Sequence, residues 1–402
     1  MRRCTAGLLL LLLASPARAD DLPPPANVPA AMQKAVEFLL KNQNPDGSWG
    51  AATDALHTFG DDWPIWANPE TQRCWKVATT GLCLMALLDD PGVPSATVQE
   101  AADRGLRFLL ARAEVKRPSD WDTMNSWAYI YGLQGLATAY GAPRYADSEQ
   151  RAALRDLGQR VITRLAECQS PRGGWGYLEF DVPRTPRHQW ATSFTTAAAL
   201  VALLDARQHG FAVDEGLIER AALGVQRCRL PSGAYTYSIP VIPTPGRADW
   251  IDQIKGSLSR IQCCNLALLL AGKDVSNETL ATGLDHFFRE HKFLDIARNK
   301  PIPHEAYYKN SGYFYLFGHY YAARVIERLP PGDQGRYWPQ LQHEIIKIQQ
   351  PDGSLWDYDM QAYHKAYGTA FALLALEASV HPGSATPAPH PAAAASPTGS
   401  GS

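Results

Sequence analysis

Residues 43–50 read QNPDGSWG, and variants of the same turn recur as QSPRGGWGY from Gln169, LPSGAYTY from Leu230 and QQPDGSLWDY from Gln349. The glycine of such a turn takes a positive φ at no steric cost, and the Asp or Ser beside it caps the backbone. The aromatic that follows is expected to pack over helix ends, with Trp49, Trp175 and Trp356 in equivalent places. A turn that returns along a chain marks a repeated supersecondary unit, so the repeat decides the fold.

Before each turn lies an amphipathic helix. Met32, Val36, Leu39 and Leu40 precede the first, and Leu154, Leu157, Val161 and Leu165 precede the second at helical spacing, with Arg and Glu on the opposite face. Val98–Arg112 and Glu278–His291 are read as further helices of this kind, which completes six pairs. After each turn and a variable loop comes a helix apolar or aromatic nearly all round, and such a helix is buried on every side. These begin at Val77, Trp127, Phe194, Ser257, Ser311 and Tyr363, and Gly81, Gly132, Gly135, Gly318 and Gly368 permit close helix approach.

Six wet helices alternating with six dry ones, with no convincing strand, predict an all-α (α/α)6 toroid over residues 30–380. Each unit steps from outer to inner, so the inner helices run in one direction and their N-termini share a rim. An open solenoid needs regular repeats, whereas the loops here vary widely in length.

The ends read differently. Arg2 and Arg3 precede an apolar run from Leu8 to Ala14, and Ala17-Arg18-Ala19 supplies a cleavage site, so residues 1–19 read as a secretory signal peptide. The run is short of the ~20 residues a membrane span requires. Residues 20–29 form a lead-in, and residues 381–402, with Pro382, Pro387, Pro389, Pro391 and Pro397 among Ala, Ser and Gly, read as a disordered tail. The expectation is export, to the periplasm if the source is Gram-negative, with no membrane span in the mature chain. Of seven Cys, Cys4 leaves with the signal, and the rest read as buried free thiols rather than a disulfide scaffold.

With 402 residues, 46% hydrophobic and 19% charged, the body is globular. Lys plus Arg total 38 against 40 Asp plus Glu, for a formal charge of -2, so no basic excess suits a nucleic-acid partner. Eleven Trp, 17 Tyr and 12 Phe provide stacking surfaces for a core or a ligand.

The turns QNPDGSWG, QSPRGGWGY and QQPDGSLW resemble those of the terpenoid cyclase and protein prenyltransferase superfamily, also called prenyltransferase/squalene oxidase repeats, over about residues 30–380. The resemblance implies the toroid. It also implies tests of activity. Squalene-hopene cyclases protonate an alkene with D-x-D-D, which is absent here, and the nearest strings are the spaced pairs Asp120/Asp122 and Asp357/Asp359. The prenyltransferase zinc site has a counterpart only at Tyr363-His364, because Asn310-Ser311-Gly312-Tyr313 holds neither the Asp nor the Cys. The C-G-E-Q thioester of complement-like toroids is absent as well. No metal and no cofactor is expected.

The segments entering the inner helices are rich in acids and aromatics, and a closed toroid gathers them at one rim. They are Asp61, Asp62 and Trp63; Asp120, Trp121 and Asp122; His188 and Trp190; Asp249, Trp250 and Asp252; His304, Glu305, Tyr307 and Tyr308; and Asp357 and Asp359. Helix capping accounts for an Asp at such a place but not for the accompanying Trp. Asp120, Asp122, Asp357, Asp359 and His364 are the catalytic candidates, with Asp359 folded back over the helix start toward His364. Trp63, Trp121, His188, Trp190, Trp250, Tyr315 and His319 are the ligand-binding candidates. Tyr315 and His319, one helical turn apart, are expected to point together into a central cavity.

Three functions fit these residues: a binding protein for an extracytoplasmic glycan or an isoprenoid or hopanoid lipid, a glycan hydrolase or lyase working through rim carboxylates, and a divergent isoprenoid enzyme. Facing carboxylates across an open cleft favour the second, a closed apolar cavity favours the third, and acids used as caps favour the first.

Overall fold

Asn27 starts the first helix by accepting a hydrogen bond from the Ala30 N–H at 3.2 Å, one of the helix-end donors that would otherwise lack a partner. Ser95, Thr192, Asp214 and Ser276 cap four later helices in the same way. The computed structural model describes residues 27–52, 68–89, 95–115, 124–177, 190–240 and 250–381. The signal peptide and nearly all of the tail expected from the sequence lie outside the described residues.

The helices are α1 (Val28–Lys41), α2 (Pro69–Asp89), α3 (Ala96–Arg112), α4 (Ser126–Gly141), α5 (Arg151–Cys168), α6 (Ser193–Gln208) and α7 (Glu215–Cys228). They continue with α8 (Leu258–Leu270), α9 (Asn277–Arg289), α10 (Lys292–Arg298), α11 (Phe314–Ile326), α12 (Pro331–Gln334), α13 (Trp338–Ile346) and α14 (His364–Val380). Among the described residues no strand forms, only the isolated bridges Thr192–Ser238 and Arg229–Tyr235. No described helix is long and apolar enough to cross a membrane.

Helices α2, α4, α6, α8, α11 and α14 each pack on the next, and α14 packs back on α2, so the inner ring closes. The outer helices α1, α3, α5, α7, α9 and α13 surround it, with α1 lying on α14 at the seam. Burial follows the sequence pattern. Thirteen of the 16 residues of α6 are buried, against seven of the 14 of α7. In the last turns of α6 and α11, Asp205 and Arg324 pair across the ring at 2.8 Å, while aromatic residues from the first turns gather at the opposite end. The inner helices therefore run in parallel, as expected.

The recurrent turn fastens this arrangement. Gln43, Gln169 and Gln349 each donate to the carbonyl of their own turn glycine and to the next outer helix: Ala101 O at 2.8 Å, Leu217 O at 3.1 Å and Ala31 O at 2.9 Å. The third of these links α13 to α1 and closes the outer ring. Gly47, Gly173, Gly233 and Gly353 all have φ between 86° and 90°. At Gly47, Gly173 and Gly353 a side chain would also run into a carbonyl of the adjoining outer helix.

Two expectations need correction. Trp49 and Trp175 are equivalent, each donating its indole N–H ten residues back, to Leu39 O at 2.8 Å and Leu165 O at 2.9 Å. In the last turn, however, Leu355 takes that place. Its N–H meets Thr369 Oγ1 just as those of Trp49 and Trp175 meet Thr80 and Thr196, and Trp356 falls one residue later, half-buried against His364. Helix α2 starts at Pro69 rather than Val77, because Glu70, Gln72 and Lys76 are polar yet buried, which masks the apolar pattern. Of the six described cysteines all but Cys168 are buried.

Candidate functional site

The first turns of the inner helices carry aromatic residues one helical turn apart, and closing the ring turns them on one another. They enclose a cavity of about 320 Å³. Its wall includes Trp75, Ala78, Thr79 and Leu82 of α2, Trp127 and Tyr131 of α4, and Phe194 of α6. Phe314 and Phe317 of α11 and Tyr367 and Phe371 of α14 complete the helical part, while Met124, Tyr177, Pro303, His304, Tyr313, Tyr358 and Met360 come from loops and helix edges. Trp127 stacks on Tyr131 at 5.7 Å, and Phe314 and Phe371 present their edges to Phe194 at 5.0 Å and to Tyr131 at 5.3 Å. No carboxylate belongs to the described wall.

One pole of the cavity is polar. The His304 Nδ1–H donates to Lys309 O at 2.6 Å, which leaves Nε2 to accept the Tyr313 hydroxyl at 3.0 Å. His304 and Lys309 have φ of 62° and 58°, strained values for non-glycine residues, and the His304 N–H is held by Ser311 Oγ at 2.9 Å. Burial, assisted by the nearby Arg260 charge, keeps the His304 pKa below the ordinary histidine value. Burial pushes the Tyr313 phenol up to about 12, and the Tyr237 hydroxyl lies near it, with that of Tyr177 near Tyr237. Behind this pole Arg260 is 1% exposed. Its guanidinium meets Tyr235 O at 3.3 Å and Ile251 O, lies 3.9 Å from Asp252, and leaves Nε and Nη1 without a hydrogen-bond partner. His304 is set apart in the sequence only by standing after Pro303; the turn that orients it is a tertiary feature.

Asp357 and Asp359, expected together, are separated. A regular extended segment would put residues two apart on one face, but the backbone bends at 357–358, so Asp357 is buried and Asp359 exposed. Asp357, fully buried, accepts the Leu316 N–H in the first turn of α11 at 2.9 Å and the Tyr367 hydroxyl at 3.3 Å. Burial raises its pKa to about 7, opposed by those hydrogen bonds and by Arg298. It caps α11 from a neighbouring segment and touches the cavity wall through Tyr367. Asp359 Oδ1 lies 3.3 Å from His364 Nδ1, which also meets Gln361 O at 2.8 Å, so Asp359 does fold back over the helix start. This pair stands outside the cavity wall, with the histidine ring against Trp356.

Tyr315 and His319 do not point into the cavity. One residue turns a helix by ~100°, so with Phe314 and Phe317 facing inward they face the outer ring. Tyr315 donates to Glu344 O at 2.9 Å, and His319 meets Tyr315 O at 2.8 Å and His291 Nε2 at 3.2 Å. Burial and the His291 charge hold the His319 pKa well below the ordinary value. Beyond them, donor atoms of His291, Asp295 and Glu344 lie within 4.8 Å of one another, the geometry of a metal triad. Lys347 bonds both carboxylates and already supplies the cation. Trp190 supports the wall from behind, donating to Ser238 Oγ at 3.0 Å and meeting Tyr177 edge-on at 4.8 Å. Trp250 is 49% exposed and stacks on Tyr307 at 4.8 Å. Asp61, Asp62, Trp63, Asp120, Trp121, Asp122, His188 and Asp249 lie outside the described residues.

No protein-family model matches the sequence. A terpene cyclase–glycosyl transferase fusion protein of Humicola fuscoatra is 29% identical over 195 residues, 43% of this chain, and the match spans 14% of that protein. Among solved structures, a D-mannose isomerase aligns with TM-score 0.55 at 13% identity, covering 87% of this chain and 96% of its own. The cellobiose 2-epimerase of Spirochaeta thermophila aligns with TM-score 0.52 at 14% identity, covering 89% and 99%. An α-1,6-mannanase variant of Salegentibacter aligns with TM-score 0.51 at 10% identity, covering 88% and 99%. At these identities the likeness is one of fold, and the fold is an α/α toroid.

Proposed function

We propose that the chain binds a compact, apolar isoprenoid-class molecule in its central cavity. The character of the wall carries this reading. Aromatic and aliphatic side chains dominate it, and burial against them is worth about 0.8 kcal/mol per CH₂ of ligand. A volume of about 320 Å³ is at the lower end of ligand pockets and suits a compact skeleton. A glycan would bring many hydroxyls to a wall with few partners, and each one left unpaired costs ~1–3 kcal/mol. The recurrent turns and the sequence match to a terpene cyclase fusion protein support the same ligand class. Binding rather than alkene protonation is favoured by Asp357, whose carboxyl is used as a cap and, with a pKa near 7, is a weak acid for a hydrocarbon. With the leader read at residues 1–19, the ligand is met outside the cytoplasm.

The sugar-active toroids sustain one competing reading, glycan chemistry through the rim aspartates. Thermal melting of the purified chain with farnesol, with a hopanoid and with a mannose tetrasaccharide separates the two. A ligand of the native state at a hundredfold its Kd adds about 2.7 kcal/mol of stability. A midpoint raised by several degrees with farnesol or the hopanoid, and unchanged with the oligosaccharide, is expected. A rise with the oligosaccharide alone would overturn the proposal.

A further inference from the structure

We infer that the cavity's ligand is an alcohol, and that its hydroxyl docks on Tyr313 at the His304 pole. This deepens the preceding proposal and rests on its apolar cavity.

The distribution of polar groups in the wall carries the inference. Away from the pole the wall's hydroxyls are isolated: Tyr358 is engaged with Pro301 O at 2.9 Å and Tyr367 with Asp357 at 3.3 Å, while Tyr131 Oη and Thr79 Oγ1 each stand without a hydrogen-bond partner. At the pole, Tyr177 and Tyr313 reach the cavity side by side with His304. The Tyr313 proton is committed to His304 Nε2, because Nδ1–H is held by Lys309 O and the strained turn from 304 to 309 fixes the ring. Its oxygen sits among the rotatable hydroxyls of Ser311, Tyr237 and, through Tyr237, Tyr177. A hydrocarbon seated here would leave these groups dry. A ligand hydroxyl, donor and acceptor at once, can join this cluster of hydroxyls at either valence.

The neighbouring charge argues for a neutral oxygen. Arg260 presents two partnerless N–H groups in this region, which favours lone pairs nearby. Yet its guanidinium is screened from the cavity by the Tyr237 and Phe314 rings, at 5.5 and 5.9 Å, and is balanced by Asp252 at 3.9 Å. A carboxylate or diphosphate would lose its hydration without gaining a direct counter-ion. Thr79 and Tyr131 are the two alternative docking points in the described wall, each with a buried hydroxyl oxygen that has no hydrogen-bond partner.

Calorimetric titration with three probes of one carbon skeleton tests the inference: farnesol, farnesene and farnesoate. Wild-type protein should bind farnesol roughly ten- to a hundredfold tighter than farnesene, the ratio expected for one satisfied buried hydrogen bond, and tighter than farnesoate. In Tyr313→Phe that preference should collapse to within about threefold while farnesene affinity holds, and Thr79→Val and Tyr131→Phe should each leave the preference intact. Equal binding of farnesol and farnesene by wild type, a preference that survives Tyr313→Phe or vanishes in Thr79→Val or Tyr131→Phe, or tightest binding of farnesoate would each overturn it. Should Tyr313→Phe fail to fold, the wild-type comparison decides alone. Binding of none of the probes would overturn the cavity reading and this inference together, whereas equal binding removes only the latter.

Discussion

Replacing Trp49 by alanine should cost ~3–5 kcal/mol of folding free energy, the range for truncating a fully buried aromatic side chain. Trp49 has no exposed surface, donates its indole N–H to Leu39 O at 2.8 Å and its backbone N–H to Thr80 Oγ1 at 3.1 Å, and packs beneath Gly105 of α3. It thus joins the end of α1 to both the inner helix α2 and the outer helix α3. Truncation leaves a void where three helices meet and removes the indole N–H bond to Leu39 O. Trp356→Ala should cost markedly less, because that ring is only half-buried and Leu355 fills the equivalent place. Urea unfolding of both variants measures this. A loss below about 1 kcal/mol for Trp49→Ala, or a larger loss for Trp356→Ala, would contradict the assignment of the turns.

Asp357→Asn should stabilise the protein at pH 8. In the folded chain the Asp357 carboxyl has a pKa of about 7, against an ordinary value of 3.8. Below pH 4 the group is protonated in both states and carries no penalty. As pH rises from 4 to 7 the unfolded chain releases this proton more readily than the folded chain, so stability falls. Above 7 the loss is complete, on the order of 2–4 kcal/mol. Asparagine keeps an oxygen for the Leu316 N–H and turns its NH₂ toward the Tyr367 oxygen, so the cap survives without the buried charge. Melting curves across pH 4–8 should show the variant gaining on wild type as pH rises. A variant less stable than wild type at pH 8 would mean that the ionised carboxylate is the favoured form.

The toroid was legible because its turns are written in the chain: a glycine forced to positive φ, and a glutamine bridging to the next outer helix, leave marks at fixed spacing. Boundaries were legible only where polarity tracked burial. At Glu70, Gln72 and Lys76 it did not, and α2 lost its first two turns in the reading. A one-residue offset hid the equivalence of Leu355 with Trp49, since the eye follows tryptophan whereas the backbone follows the glycine. The site was harder to read. Helical spacing correctly paired Tyr315 with His319, but spacing cannot say whether a shared face meets the cavity or the outer ring. The better signal was present in Trp127/Tyr131 and Tyr367/Phe371, aromatic pairs in the first turns of inner helices, all of which line the wall. His304 owes its orientation to Lys309 and Tyr313, a tertiary arrangement that no local motif encodes.

The cavity as the binding site is tested most directly by filling it. Ala78 lies on the wall in α2, 3% exposed, and tryptophan at this position projects into existing space instead of into packed core. Calorimetric titration of farnesol into wild type and Ala78→Trp, with melting curves to verify that both are folded, gives the measurement. The prediction is saturable binding to wild type and an affinity at least about thirtyfold weaker in the variant at a similar melting temperature. Undiminished farnesol binding by folded Ala78→Trp would place the ligand elsewhere and contradict the account.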